Sequence, residues 1–110
     1  CWLVNTGWTG GSYGVGERMR IAHTRAMVRA ALEGRFEGVG RTEHPQFRLL
    51  VPEACPEVPA GVLDPRATWH DKQAYDRTVA ELTRRFESNF KQFEPYVGED
   101  VKAAGIYAAA

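Results

Sequence analysis

The sequence predicts an α/β fold with mixed strands and two main helices. The strongest signal is a long apolar periodicity of about 3.6 residues from residue 71 to residue 94. A second helical pattern follows Thr24, and two short β-prone runs at residues 2–4 and 47–51 predict strands. Apolar residues make up 44% of the 110 residues and charged residues 25%, which is typical of a globular chain.

The helix predicted at residues 71–94 carries one apolar stripe, which we expect to pack in the core because apolar periodicity on a helix usually marks a buried face. Pro95 is expected to stop it. The stripe consists of Tyr75, Val79, Leu82, Phe86, Phe90 and Phe93.

The other main helix is expected to begin near Thr24, which suits an N-cap or first-turn position, and to end at Gly34. Residues 19–22 are predicted as a short extended stretch before it. Apolar side chains at i,i+4 spacing predict its buried face, and these are Met27, Val28, Ala31 and Leu32.

The remaining segments are shorter. Residues 2–4 are predicted as a buried strand, and residues 47–51 as a second strand bounded by prolines. Residues 36–42 are expected to form a turn. Residues 52–68 contain four prolines and are predicted as an ordered connection without helix, and residues 99–104 as a last short helix.

The charge balance gives no general electrostatic argument for an anionic partner. Lys and Arg total 14, as do Asp and Glu, so nothing favours nucleic acid or an anionic membrane. No apolar run approaches the ~20 residues of a membrane span.

Cys1 and Cys55 match no metal or redox spacing. This favours free thiols in a reducing compartment and leaves a disulfide open as an alternative. A first residue other than Met indicates a truncated or processed product.

Five glycines between Gly7 and Gly16 predict a loop with unusual backbone angles. Such a loop serves equally well as a structural turn or as a ligand-binding loop. It is not a Walker A loop, because Gly16 is followed by Glu17-Arg18 where that motif has Lys-Ser/Thr, and it does not have the GxGxxG spacing of dinucleotide-binding folds.

Arg18, Arg20 and Thr24 follow the loop closely. A guanidinium can stack on a purine or hydrogen-bond to it, and a threonine hydroxyl can donate to or accept from a base edge. The alternative is a solvated arginine and a helix-capping threonine.

Histidines give no metal signal, because a metal needs several convergent ligands and His23, His44 and His70 show no ligand spacing. No GxSxG, HExxH or paired-carboxylate signature occurs.

Several segments of the sequence are informative when taken together, in order and spacing. They are Asn5-Thr6-Gly7-Trp8-Thr9-Gly10-Gly11, Tyr13-Gly14-Val15-Gly16, Arg18-Met19, Thr24-Arg25-Ala26-Met27, Val51-Pro52, Cys55-Pro56, Leu63-Asp64-Pro65-Arg66, Thr68-Trp69 and the helix with Phe86 and Asn89-Phe90. These segments closely resemble the ATP-type phosphoenolpyruvate carboxykinases, and the resemblance runs from residue 1 to about Gly105. The alanine-rich tail has no counterpart in it.

This resemblance implies that residues 1–110 are the C-terminal part, incomplete as a domain, of a mononucleotide-binding α/β domain. The intact enzyme would be a cytoplasmic lyase of gluconeogenesis that converts oxaloacetate and ATP to phosphoenolpyruvate, ADP and CO2. It would use Mg²⁺ or Mn²⁺, and the remainder of the same polypeptide would be this chain's partner.

The resemblance also implies that Arg18, Met19 and Thr24 contact the adenine end of ATP. The family's P-loop, metal ligands and oxaloacetate-binding arginine would lie upstream, so no catalytic or metal-binding residue is expected here and the isolated chain should be inactive. Glu17 and Ser12 depart from the common Lys and Pro, and Glu17 could pair with Arg18.

Two alternatives remain at this point: a stand-alone, non-catalytic nucleotide-binding or interaction module, and a small kinase subunit assembled with another chain. A strand at residues 2–4 would need partners from elsewhere, which favours the enzyme fragment.

Overall fold

The computed structural model of the chain describes residues 1–108, so the last two residues of the tail that begins at Gly105 lie outside it. The described residues form a small α/β fold with five α-helices and two small antiparallel sheets. This confirms the predicted α/β class and the two main helices, α1 and α4. In chain order the elements are β1 (Trp8–Thr9), β2 (Glu17–Arg18), α1 (Ile21–Leu32), β3 (Arg41–Glu43), β4 (Leu50–Pro52), α2 (Ala60–Leu63), α3 (Pro65–Thr68), α4 (Lys72–Phe90), a 3-10 turn (Glu94–Tyr96) and α5 (Glu99–Ala103).

The two sheets are both hairpins. In the first, β1 pairs with β2 so that Trp8 lies opposite Arg18. In the second, β3 pairs with β4, and Thr42 lies opposite Val51. The strand predicted at residues 47–51 begins later, at Leu50, because Arg48 adopts a left-handed φ of 60° and its N–H donates to the His44 carbonyl in the connecting turn.

Helix α1 begins at Ile21, so the prediction of an extended stretch at residues 19–22 is wrong for its second half. Arg20 holds the extended N-cap conformation, and Thr24 lies in the first turn as predicted. Gly34 follows the helix with φ of 69°, and its N–H donates to the Ala31 carbonyl at 3.4 Å. The predicted glycine stop is therefore confirmed.

The best-buried face of α1 is not the predicted one. Ala26 and Ala30 are buried, whereas Val28 and Leu32 are 39% and 83% exposed. Small side chains let the helix approach the neighbouring segment closely. The core around these two alanines consists of Phe36, Cys55 and Val58, with Met27, Ala31, Val62 and Leu63 partly buried against it.

Residues 2–4 do not form the predicted buried strand. Trp2 is 42% exposed and Leu3 is 80% exposed. The Trp2 ring instead packs against Phe36 at a centroid distance of 4.7 Å, beneath the Arg41 guanidinium. An isolated strand is stable only when a neighbour pairs with it, and within residues 1–108 none does.

Residues 52–68 include two short helices, contrary to the prediction of a connection without helix. Pro59 is the N-cap of α2, and Pro65 is the first residue of α3. Proline fits these positions because its missing N–H would be unpaired there in any case. Asp64 caps α3, accepting from the backbone N–H groups of Arg66 and Ala67.

The corner between α3 and α4 is bound by one lysine. The Lys72 ammonium donates to the carbonyls of Arg66 and Ala67, each at 3.0 Å, and to that of Trp69 at 2.6 Å. A cation at the carbonyl end of a helix is favourable because unpaired carbonyls carry partial negative charge. All three donors of Lys72 are thus used in holding α3 to the start of α4.

Helix α4 ends at Phe90, four residues before the predicted end, where the chain tightens into turns. Its apolar stripe is only partly covered, because Val79 is buried but Leu82, Phe86 and Phe93 are 37%, 47% and 47% exposed. The prediction of core packing therefore holds for only part of the stripe. The total accessible surface is 8115 Å², against about 6,100 Å² for a compact monomer of this mass.

Candidate functional site: the glycine hairpin

The glycine-rich segment forms the loop of the β1–β2 hairpin. The N–H groups of Val15 and Gly16 both donate to the Ser12 carbonyl, at 3.0 and 2.9 Å, which closes the loop. Gly10 and Gly14 have φ of 79° and 90°, angles that L-residues rarely adopt. The backbone geometry of this turn therefore accounts for these glycines.

Gly16 is the most crowded glycine of the loop. A Cβ placed on it would lie 2.3 Å from the Gly11 carbonyl oxygen and 2.5 Å from that of Thr9. A Cβ on Gly10 would lie 2.8 Å from the carbonyl oxygen of Thr68, at the end of α3. The hairpin is therefore packed backbone to backbone, internally and against α3.

Arg18 ends β2, with an exposed side chain. Within residues 1–108 its guanidinium makes no hydrogen bond, ion pair or aromatic contact, and it has none with Glu17. Successive residues of a strand point to opposite faces, which separates these two side chains. The guanidinium is available to a ligand.

Met19 is buried, with only 8% of its surface exposed. Its N–H donates to the Gly7 carbonyl at 2.7 Å, which extends the hairpin by one hydrogen bond. Met19 thus anchors the backbone immediately beside Arg18 and offers a ligand little side-chain surface.

Thr24 is tied to the segment before β1. Its hydroxyl donates to the Asn5 carbonyl at 3.4 Å, which leaves the oxygen lone pairs free to accept from a ligand. The Asn5 amide accepts from the Gly7 N–H and donates to the Trp8 carbonyl, both at 2.9 Å. Residues 5–7 therefore hold both Met19 and Thr24.

Asn5 and Gly7 were not singled out from the sequence as site residues. The signal was present, because Asn two residues before Gly is typical of a turn in which the Asn side chain bonds the backbone.

The entrance to α1 carries uncompensated positive charge. In the described part of the chain Arg18, Arg20 and Arg25 have no carboxylate within ion-pair distance, whereas most other arginines do. The first turn of α1 also contains no acidic residue. This charge suits an anionic ligand.

Nowhere in residues 1–108 do three His, Cys, Asp or Glu side chains converge as metal ligands would. No described helix has the length and apolar character needed to cross a bilayer.

Comparison with known proteins assigns this hairpin to a family. A sequence model of the family described as phosphoenolpyruvate carboxykinase matches residues 1–61, which include the hairpin and α1. The chain belongs to the phosphoenolpyruvate carboxykinase family. This confirms the resemblance seen in the sequence.

The relatives named as ATP-dependent carboxykinases match nearly the whole chain. The phosphoenolpyruvate carboxykinase (ATP) of Ruegeria sp. (strain TM1040) is 53% identical over 106 residues, 96% of this chain and 20% of the relative. The enzyme of Salinibacter ruber is 53% identical over 105 residues, which are 96% of this chain and 20% of that relative. The enzyme of Christiangramia forsetii is 51% identical over 100 residues, which are 91% of this chain and 19% of that relative. The chain spans about a fifth of the length of these curated relatives.

The chain also has a cleft of about 550 Å³ between the β3–β4 hairpin, α3 and α4. His44 and Tyr75 meet in it, with His44 Nε2 and the Tyr75 oxygen 2.9 Å apart. The Phe47 and Gln46 N–H groups point at His44 Nδ1, at 3.1 and 3.3 Å. Nδ1 is therefore the acceptor, so the proton lies on Nε2, which donates to Tyr75.

Burial lowers the pKa of His44 from its ordinary value of 6.5. The two backbone N–H groups at Nδ1 oppose a second proton as well. Because the folded pKa lies below the unfolded one, the unfolded chain binds more protons, and stability is lost as the pH falls below about 6.5.

We expect His44→Gln to flatten the loss of stability between about pH 7.5 and about pH 5. The measurement is the free energy of unfolding by urea at several pH values, for the unmodified chain and for the variant. His70→Gln, at an exposed histidine that does not line the cleft, is the control and should retain the slope of the unmodified chain. An equally steep loss in His44→Gln would contradict the assignment.

Proposed function

We propose that this chain is the C-terminal part of the nucleotide-binding domain of an ATP-dependent phosphoenolpyruvate carboxykinase, and that it supplies contacts to the adenine end of ATP. The intact enzyme converts oxaloacetate and ATP to phosphoenolpyruvate, ADP and CO2 in cytoplasmic gluconeogenesis. Membership of the family and the names of the relatives support this reaction.

The observation that carries the adenine assignment is the availability of Arg18 beside two anchored neighbours. Its guanidinium has no partner within residues 1–108, while Met19 and Thr24 are tied to residues 5–7. Because the backbone beside Arg18 is already fixed, binding has to order only the arginine side chain.

Thr24 is suited to recognise the edge of the base. Its hydroxyl proton is directed to the Asn5 carbonyl, so the oxygen accepts. An accepting oxygen suits the amino group of adenine and opposes the carbonyl that other purines carry at the same position.

The phosphate-transfer machinery is assigned to residues outside this chain. The hairpin has no Lys-Ser/Thr after its last glycine, and the described residues form no metal-ligand set for Mg²⁺ or Mn²⁺. The exposed apolar surface of α4 favours a part of a larger domain over a stand-alone nucleotide-binding module, because the remainder of the polypeptide would cover it.

The test uses a chimaera in which this chain replaces the matching segment of the Ruegeria relative. Arg18→Ala should raise KM for ATP, at a cost of about 1–3 kcal/mol for a charged hydrogen bond, and Thr24→Val should cost about 0.5–1.5 kcal/mol. Both contacts lie far from the transferred phosphate, so kcat should change less than KM.

Thr24→Ser keeps the hydroxyl and serves as the matched control. KM for oxaloacetate should hardly move in any variant. The measurement is steady-state kinetics in which ATP and oxaloacetate are varied separately, so that KM for each substrate is obtained for every variant. An unchanged KM for ATP in both Arg18→Ala and Thr24→Val, or a change confined to oxaloacetate, would remove the adenine assignment.

A further inference from the structure

Trp8 lies directly opposite Arg18 in the β1–β2 ladder. In an antiparallel pair the side chains of opposed residues lie on the same face of the sheet, about 5 Å apart at Cβ. The indole is therefore the cross-strand neighbour of the guanidinium that the proposed function assigns to ATP.

The indole of Trp8 is not part of the core. It is 39% exposed, and the buried cluster around α1 does not include it. Its aromatic contact is with Tyr13, at a centroid distance of 5.3 Å and an interplanar angle of 86°. Tyr13 is itself 83% exposed, so two aromatic rings stand together on the surface of the hairpin.

Arg18 leaves the indole free. The cation–π pair of the described residues joins Arg41 to Trp2, not Arg18 to Trp8. A cation and an unoccupied aromatic ring on one face of a rigid hairpin can engage a flat, electron-rich ring together, one along its edge and the other across its face.

We propose that Trp8 is a further nucleotide-contacting residue, whose indole stacks on the purine ring of ATP while Arg18 holds the same ligand and Tyr13 fixes the orientation of the indole. The proposal rests on the adenine assignment of Arg18 and Thr24. It adds a division of roles, because stacking tolerates any base whereas the Thr24 hydroxyl senses the edge. Trp8 then sets affinity, and Thr24 sets base identity.

The experiment compares Trp8→Leu and Trp8→Phe in the Ruegeria chimaera. Trp8→Leu should weaken ATP binding about tenfold, the usual scale for the loss of one base stack. Trp8→Phe should keep most of the affinity, since phenylalanine retains an aromatic face. Inhibition by inorganic tripolyphosphate, which has no base, should be the same in all three proteins. Tyr96→Leu, at an exposed aromatic in the 3-10 turn that follows α4, is the matched control and should bind ATP like the parent.

Fluorescence supplies a readout that a purely structural role would not move. ATP should quench part of the indole emission in the parent, and that part should vanish in Trp8→Phe although the variant still binds. Quenching that persists in Trp8→Phe would overturn the proposal, as would equal losses for ATP and tripolyphosphate in Trp8→Leu, which indicate a collapsed hairpin.

The two proposals fail separately. If Trp8→Leu binds ATP like the parent while Arg18→Ala does not, the stacking role is wrong and the adenine assignment stands. If both variants bind ATP like the parent, both are wrong.

Discussion

The 110-residue chain alone should convert no oxaloacetate to phosphoenolpyruvate above background in a coupled assay with ATP and Mn²⁺. Phosphoryl transfer depends on groups that position the phosphates and on a divalent metal that neutralises their charge. No such metal-ligand set forms within residues 1–108, and the glycine hairpin continues into Glu17-Arg18. The expected loss is therefore complete, not partial.

The Ruegeria chimaera is the positive control, because it adds the rest of a carboxykinase to the same residues. It should turn over under the conditions in which the chain alone does not. Activity that stays with the chain through purification and scales with its concentration would contradict the prediction. It would also place catalytic groups in this segment.

Gly16→Ala should disrupt the hairpin and with it the proposed ATP site. The new Cβ would lie 2.3 Å from the Gly11 carbonyl oxygen and 2.7 Å from the Gly11 nitrogen. Both are backbone atoms, so the strain cannot be relieved by a side-chain rotation. Overpacking of this kind costs about 3 kcal/mol or more.

Gly7→Ala is the matched control, since the nearest atom to its new Cβ is the Asn5 side-chain oxygen at 3.8 Å. In the chimaera, KM for ATP should rise more than tenfold for Gly16→Ala and hardly at all for Gly7→Ala. Urea unfolding of the same proteins shows whether the loss stays within the hairpin. If both variants retain the parent's KM for ATP, the hairpin does not shape the ATP site.

The long helix was predictable because its signals are local. The apolar stripe has six members, from Tyr75 to Phe93, and Asp71 caps the helix by accepting from the Ala74 N–H at 3.0 Å. Its early end at Phe90 was not predictable, since the stripe continues to Phe93 without a break in its period. Periodicity reports which face a helix presents, but not what covers it.

The short strands, unlike the long helix, could not be predicted from local sequence. The β1 and β2 strands have two residues each, too few for an alternating pattern, and the glycine density predicts only a loop. Conversely, residues 2–4 have the composition of a strand but no pairing partner in the described part of the chain. Strand formation depends on a neighbour that local sequence does not reveal.

The assignment of Arg18, Met19 and Thr24 to the adenine site rests on the resemblance and not on chemistry that the sequence alone shows. Arg18 and Thr24 have an equally ordinary explanation as a surface arginine and a first-turn threonine. What the structure adds is the attachment of Met19, the neighbour of Arg18, and of Thr24 to residues 5–7, which no motif indicates beyond the Asn-Thr-Gly turn.

The Lys72 ammonium, bound to three carbonyls between Arg66 and Trp69, has a consequence for how the segment tolerates changes in length. The five bonds from Cα to Nζ limit the reach of the lysine side chain. We therefore expect one residue inserted between positions 69 and 72 to carry the amine away from these three oxygens. The same insertion would move the Thr68 carbonyl relative to Gly10. The α3–α4 corner is therefore a spacer of set length, whereas the open turn at Gly38, where an added Cβ meets nothing within 4 Å, has room for additional residues.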